Sequence, residues 1–282
     1  MIRVLETVVR HASASLELVE ASGLIETRRT VVNGTAQVIT DLRPALRIDA
    51  TPEVVFSTAP SDLRSVSRPG RVILSRQRPE ALSRVLAGRP EEADLAPPPE
   101  PPYPVAGRLV LPGGRFNART FAVDGGGGVQ RPLRVFRAPP AVRGDAGGVL
   151  SARLVWEEGA PASWAVVTVR LALPVADPTH TADRTYRGQA DRRGEVRLAL
   201  TGIPAPTRAM IEAGALDRTI TLSVLASAAA ADTEATDPDA LPAAEIRGAG
   251  GGFAAEATFT IRPGGVIRLA SPPAETLILR TP

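Results

Sequence analysis

The chain has 282 residues, 44% of them hydrophobic, enough to bury one large or two medium cores and too apolar for wholesale disorder. Its 33 basic residues are all Arg, its net charge is only +3, and it has no Cys, which excludes disulfides, thiolate chemistry and a Cys-based zinc site. The isoelectric point near 10.3 follows from the lack of Lys and Cys; Arg interleaved with Asp and Glu, with aromatics at 4%, argues against a nucleic-acid-binding face.

Met1 to His11 carries charges too closely spaced for the apolar region of a signal peptide, and no apolar run reaches the roughly 18 residues that a membrane helix needs. The expectation is a soluble, cytoplasmic protein with no membrane span. The 25 Gly and 27 Pro weaken helix interiors and favour short strands joined by turns, so an all-β architecture with little helix is expected.

Residues 1–95 are read as an N-terminal β-rich domain. Val31 to Ile39 predicts a hairpin, because Asn33-Gly34 suits a type I′ turn. Arg71 to Ser75 predicts a strand after Pro69-Gly70. Arg78 to Ala87 predicts a short helix, with Pro79 in its first turn, Leu82, Val85 and Leu86 at helical spacing, and Gly88 as the stop.

Residues 96–104, rich in Pro, are read as a semi-rigid spacer and a domain boundary. Residues 105–282 then form β-sandwich structure. Val105 to Leu111, Arg119 to Val123 and Leu133 to Phe136 are strand candidates. Gly125 to Gly128 lacks the Gly-Lys-Ser/Thr ending of a phosphate loop and reads as a hairpin loop. Val149 to Trp156, Trp164 to Leu171 and Tyr186 to Leu198 continue the sandwich, and Ala205 to Ala213 predicts one or two helical turns. Thr219 to Val224, Phe253 to Ile261, Gly265 to Leu269 and Thr276 to Leu279 supply later strands. The Ala/Asp/Gly-rich stretch 228–252 reads as a long loop, of a length that contacts a partner or stays mobile.

No catalytic constellation emerges. The only His residues are His11 and His180, both read as surface residues, and no Gly-x-Ser-x-Gly elbow occurs. Glu157-Glu158 read as a solvated hairpin tip. Asp232, Glu234, Asp237 and Asp239 lack calcium-loop grammar and read as an acidic surface loop. Trp156 and Trp164 are either a sugar-stacking platform or core residues, the alternation of their strands favouring the core. Catalytic, cofactor and metal residues are therefore expected to be none.

Gly159-Ala160-Pro161, Trp164 to Val169 and Gln189 to Leu198 together resemble the carboxypeptidase regulatory-like family of transthyretin-type β-sandwiches, with the matching core at about 149–225. Asp191 is expected to cap the turn and Gly194 to take positive φ. The chain departs from the family's pattern at Val196, which falls just after the family's aromatic position. A related adhesin family closes a Lys–Asn isopeptide bond, which a chain without Lys cannot form. A β-sandwich of this kind without an export signal also resembles accessory structural proteins of phage tails and contractile injection systems, in Tyr103 to Phe121 and Trp156 to Leu171. That resemblance implies a non-enzymatic subunit, oligomeric within a large assembly, whose partners are other protein subunits. A carbohydrate- or ligand-binding sandwich and a hydrolase with an unseen cleft stay open as alternatives.

Overall fold

A computed structural model of the chain describes residues 13–32, 35–41, 48–76, 101–144, 147–172, 182–203 and 208–282. Within them the protein is all-β with little helix, in more than one sheet. Two compact units emerge: Met1–Val19, Arg47–Gly113 and Ala118–Arg134 form the first; Glu20–Leu46, Gly114–Asn117 and Val135–Pro282 form the second.

The first unit is built on β1 (Ala14–Glu20), β4 (Glu53–Thr58), β5 (Leu63–Arg68), β6 (Arg71–Arg76), β7 (Tyr103–Val110), β8 (Arg119–Gly125) and β9 (Val129–Val135). One sheet runs β5-β6-β1-β9 and the other β4-β7-β8. Alternation places Leu16, Leu18, Val72, Leu74, Val105 and Leu109 inward, all buried, as a half-buried strand requires. The Tyr103 hydroxyl bonds that of Ser13, and the Arg76 guanidinium lies 5.3 Å from the Tyr103 ring centroid. Arg76 also bonds Asp62 at 2.6 Å and holds its carboxyl below the ordinary range. The glycine run Gly125 to Gly128 is not a hairpin loop: it joins β8 in one sheet to β9 in the other, and Gly126, Gly127 and Gly128 all take positive φ to make that passage.

The second unit contains β2 (Gly23–Val32), β3 (Thr35–Asp41), β10 (Val149–Trp156), β11 (Val166–Ala172), β12 (Ala182–Gln189), β13 (Glu195–Ala199), a short helix α1 (Arg208–Glu212), β14 (Arg218–Leu225), β15 (Ala243–Arg247), β16 (Phe253–Ala254), β17 (Glu256–Ile261), β18 (Val266–Leu269) and β19 (Leu277–Arg280). Strand β10 pairs antiparallel with β13, and on its other side pairs parallel first with β18 and then with β19. Strand β15 pairs with both β19 and β14, joining this group to β14-β11-β12-β2-β3. One core results, with Leu150, Leu154, Val169, Leu171, Tyr186 and Leu222 fully buried in it. The buried Tyr186 hydroxyl donates to the Thr201 carbonyl at 2.9 Å, and the Glu20 carboxylate holds Arg137 through two bonds and raises its pKa.

Two further sequence expectations need correcting. The stretch 228–252 is not one long loop: a 3-10 turn at Ala228–Asp232 is followed by β15, whose Ala244 and Ile246 are buried in the core. Only those two apolar residues alternate there, too short a pattern to stand out in an Ala-rich sequence. The strand expected from Trp164 begins at Val166, because Trp164 takes φ +61 in the preceding turn. The helix expected at Arg78 to Ala87 lies outside the described residues, as do Asn33 and Gly34, although the strands flanking that turn pair in register from Val32↔Thr35.

The motif turn after β12 forms as expected. Asp191 Oδ1 accepts from the amides of Arg193 (2.8 Å) and Glu195 (3.1 Å), and Gly194 has φ +75. A Cβ at Gly194 would stand 2.3 Å from the Leu154 carbonyl oxygen of β10. Gly194→Ala is therefore expected to destabilise the protein by more than about 2 kcal/mol, combining left-handed strain with a backbone clash. Urea denaturation of the variant checks this; a loss below about 0.5 kcal/mol, the scale of an ordinary surface change, contradicts it.

Candidate functional site

Two features of the second unit have the character of interaction sites. The first is the outer edge of β3. The sheet ends there: among the described residues β3 pairs only with β2. An edge strand presents a row of backbone donors and acceptors to any strand that approaches, and proteins normally protect it with charge or Pro. Several other edges follow that habit: β5 carries Arg64 and Arg68, β9 carries Arg131 and Pro132, β13 carries Glu195 and Arg197, and β17 carries Glu256, whereas the edge strand β4 of the first unit carries only Glu53, at its start. Thr35-Ala36-Gln37-Val38-Ile39-Thr40 carries no charge and no Pro, and Asp41 comes only at the end of the strand.

The second is a depression of about 600 Å³ where the Pro161 to Trp164 segment meets β10 and the Asp191 turn. Its floor is a network of buried polar groups. Gln189 Nε2 donates to the Trp164 carbonyl at 3.2 Å, and Asn117 Nδ2 donates to Gln189 Oε1 and to the Ala190 carbonyl, each at 3.2 Å. Ser163 Oγ donates to the Arg192 carbonyl at 2.7 Å. Trp164 is held at its amide by the Asp191 carbonyl (3.2 Å) and at its indole N–H by the Thr233 carbonyl (3.0 Å). These bonds hold a bulky residue in a conformation that L-residues avoid at about 1–2 kcal/mol. Arg153, Arg192 and Arg193 line the rim.

A smaller hollow of about 200 Å³ lies on the sheet face between Thr168, Thr185, Thr221 and Ser223. The Arg170–Glu256 ion pair, at 2.9 Å, lines it and compensates its own charge.

The structure decides between the two readings of the tryptophans. Trp156 is 2% exposed within the core and Trp164 is 8% exposed, so neither offers a face for sugar stacking. Glu157 and Glu158 are exposed at the turn, with Glu157 bonded to Arg247 at 3.3 Å. In the acidic stretch Asp237 Oδ1 accepts from the Asp239 amide at 3.1 Å, an Asx turn. Among the described residues no group of three or more His, Asp or Glu is placed to hold a metal, and no helix is long and apolar enough to cross a membrane. His11 and His180 lie outside the described residues. The depression went unseen in the sequence, because Asn117, Arg153 and Arg192 are far apart in the chain and a left-handed Trp leaves no pattern there.

No family model and no curated protein matches the sequence. Among solved structures, the chain is weakly similar to the shaft pilin SpaA of Lactobacillus rhamnosus GG, at 8% identity and a TM-score of 0.25, covering 95% of this chain and 97% of the pilin. It is similar in the same weak degree to a streptococcal ancillary pilin, at 10% identity and a TM-score of 0.22, and spans 62% of that chain's length. Both neighbours are Gram-positive pilin proteins, and similarity at this level assigns neither a family nor a function.

Gln189→Leu keeps the side chain's bulk but removes an acceptor from Asn117 and the donor to Trp164. It is expected to destabilise the protein by about 1–3 kcal/mol, the cost of leaving buried polar groups unmatched. Urea unfolding followed by tryptophan fluorescence measures this; a loss below about 0.5 kcal/mol would show that the floor network contributes little.

Proposed function

We propose that this chain is a non-enzymatic structural protein that works through its surfaces, as a subunit of a phage-tail-like assembly of the contractile injection type, built in the cytoplasm. The observation that carries the reading is the unprotected edge of β3. A strand without Pro, whose one charge is Asp41 at its end, at the margin of a large sheet suits the addition of a strand from a neighbouring subunit, where main-chain bonds supply affinity and alternate side chains supply specificity. The assignment of residues 149–225 to the carboxypeptidase regulatory-like type is supported by the Asp191 cap and the positive φ of Gly194. Domains of that type serve as rigid spacers, which suits a particle component. A carbohydrate- or ligand-binding sandwich is the second reading, and the arginine-rimmed depression favours it.

Purification from the native cytosol through a tag at Pro282 tests the assembly reading. Sheath, tube or baseplate-like proteins are expected in stoichiometric amounts, and a lone monomer contradicts it. Gln37→Lys and Val38→Lys, made separately, place a charge on opposite faces of β3. In whichever variant retains the parent melting temperature, recovery of the partners is expected to fall several-fold; full recovery in both excludes β3 as the contact.

A further inference from the structure

We propose that the depression beside Trp164 binds a small oxyanion ligand bearing at least two negative charges. The first ground is charge. Three arginines, Arg153, Arg192 and Arg193, are among the residues that line the depression, and the one carboxylate there is that of Asp191. One oxygen of that carboxylate is committed to the Arg193 and Glu195 amides. None of the three guanidinium groups forms an ion pair with a carboxylate among the described residues. Glu195, the cross-strand neighbour of Arg153, does not engage it. Elsewhere in the same unit exposed arginines find partners, as in Arg170–Glu256, Arg262–Asp217 and Arg280–Glu245. A concave surface with uncompensated charge of one sign concentrates counter-ions.

The second ground is preorganisation. Ser163 fixes the carbonyl of Arg192 and Asp191 fixes the amide of Arg193, so the backbone carrying both arginines is pinned on each side. The left-handed Trp164 is held at its amide, carbonyl and indole N–H together. Backbone strain of that kind persists only where the surroundings over-determine it, and it clusters at ligand clamps. A planar guanidinium fork matches a carboxylate or a phosphate through paired bonds, and a volume of about 600 Å³ lies within the roughly 300–1,000 Å³ of small-ligand sites. Two forks on adjacent residues with a third on β10 lining the same depression call for more than one anionic group. This inference is independent of the assembly reading, since it concerns a different surface from β3.

Isothermal titration of the full chain with citrate and with pyrophosphate at low ionic strength tests it. Saturable binding is expected for at least one of them, weakening as salt rises, and the better ligand identifies the oxyanion class as carboxylate or phosphate. Arg192→Gln/Arg193→Gln and, separately, Arg153→Gln are each expected to weaken it at least about tenfold, the effect of losing a charge-assisted bond. Arg170→Gln, on the sheet face, is expected to leave it unchanged. All these side chains are exposed, so unchanged circular dichroism and melting temperature would establish that the variants are folded. No saturable heat with either anion, or binding that survives both rim variants, overturns the proposal.

Discussion

Strand β10 is hydrogen-bonded along both sides, antiparallel to β13 and parallel to β18 and then β19, and the second unit is organised around that double pairing. Because its bonding partners change along its length, β10 leads from the β13 group toward β15 and the β14-β11-β12 sheet. Its own backbone also reaches the Asp191 turn and the Trp164 segment: the Leu154 amide donates to the Gly194 carbonyl and the Leu154 carbonyl accepts from the Ala162 amide. The Asp191 turn and the Trp164 segment are thereby fixed to one strand. In a chain without cysteines, such packing against a fully bonded central strand takes the place of covalent cross-links.

The same geometry explains why the depression is rigid and cationic together. Arg153 lies on β10, while Arg192 and Arg193 lie on a turn whose amides and carbonyls are already bonded inward. The Arg192 and Arg193 side chains are exposed, and the buried polar groups Asn117, Ser163 and Gln189 bond to one another's segments beneath them. The open edge of β3 is the opposite case: a surface left without the charges that guard β5, β9, β13 and β17.

Much of the fold was legible from alternation and turn chemistry. Strands such as β6, β7, β10 and β14 carry apolar residues at every second position, and the Asp191 and Gly194 roles follow from the conformations those residues tolerate. Strand β15 escaped because an alanine and one isoleucine make a weak alternating signal. Trp164 read as strand because its neighbours are β-branched or small, whereas its left-handed backbone is imposed by tertiary bonds from Gln189, Asp191 and Thr233. The Gly125 to Gly128 passage between sheets looked like a hairpin because local sequence cannot say which partner the next strand will choose. The candidate site was the least legible part, since residues from separate segments meet through the pairing of β10 with β13 and through the tertiary bonds of Asn117, Ser163 and Trp164 to the end of β12 and the turn after it.

The proposal that β3 is where this chain joins its neighbours is best tested by hydrogen exchange of the Thr35 to Asp41 amides, compared between the isolated chain and the chain within complexes recovered from its source cells. The account predicts that alternate amides along β3, those on the side away from β2, exchange freely in the isolated chain and become protected by at least about tenfold in the complex. Equal exchange in both states would contradict it and would place the subunit contacts elsewhere on the molecule.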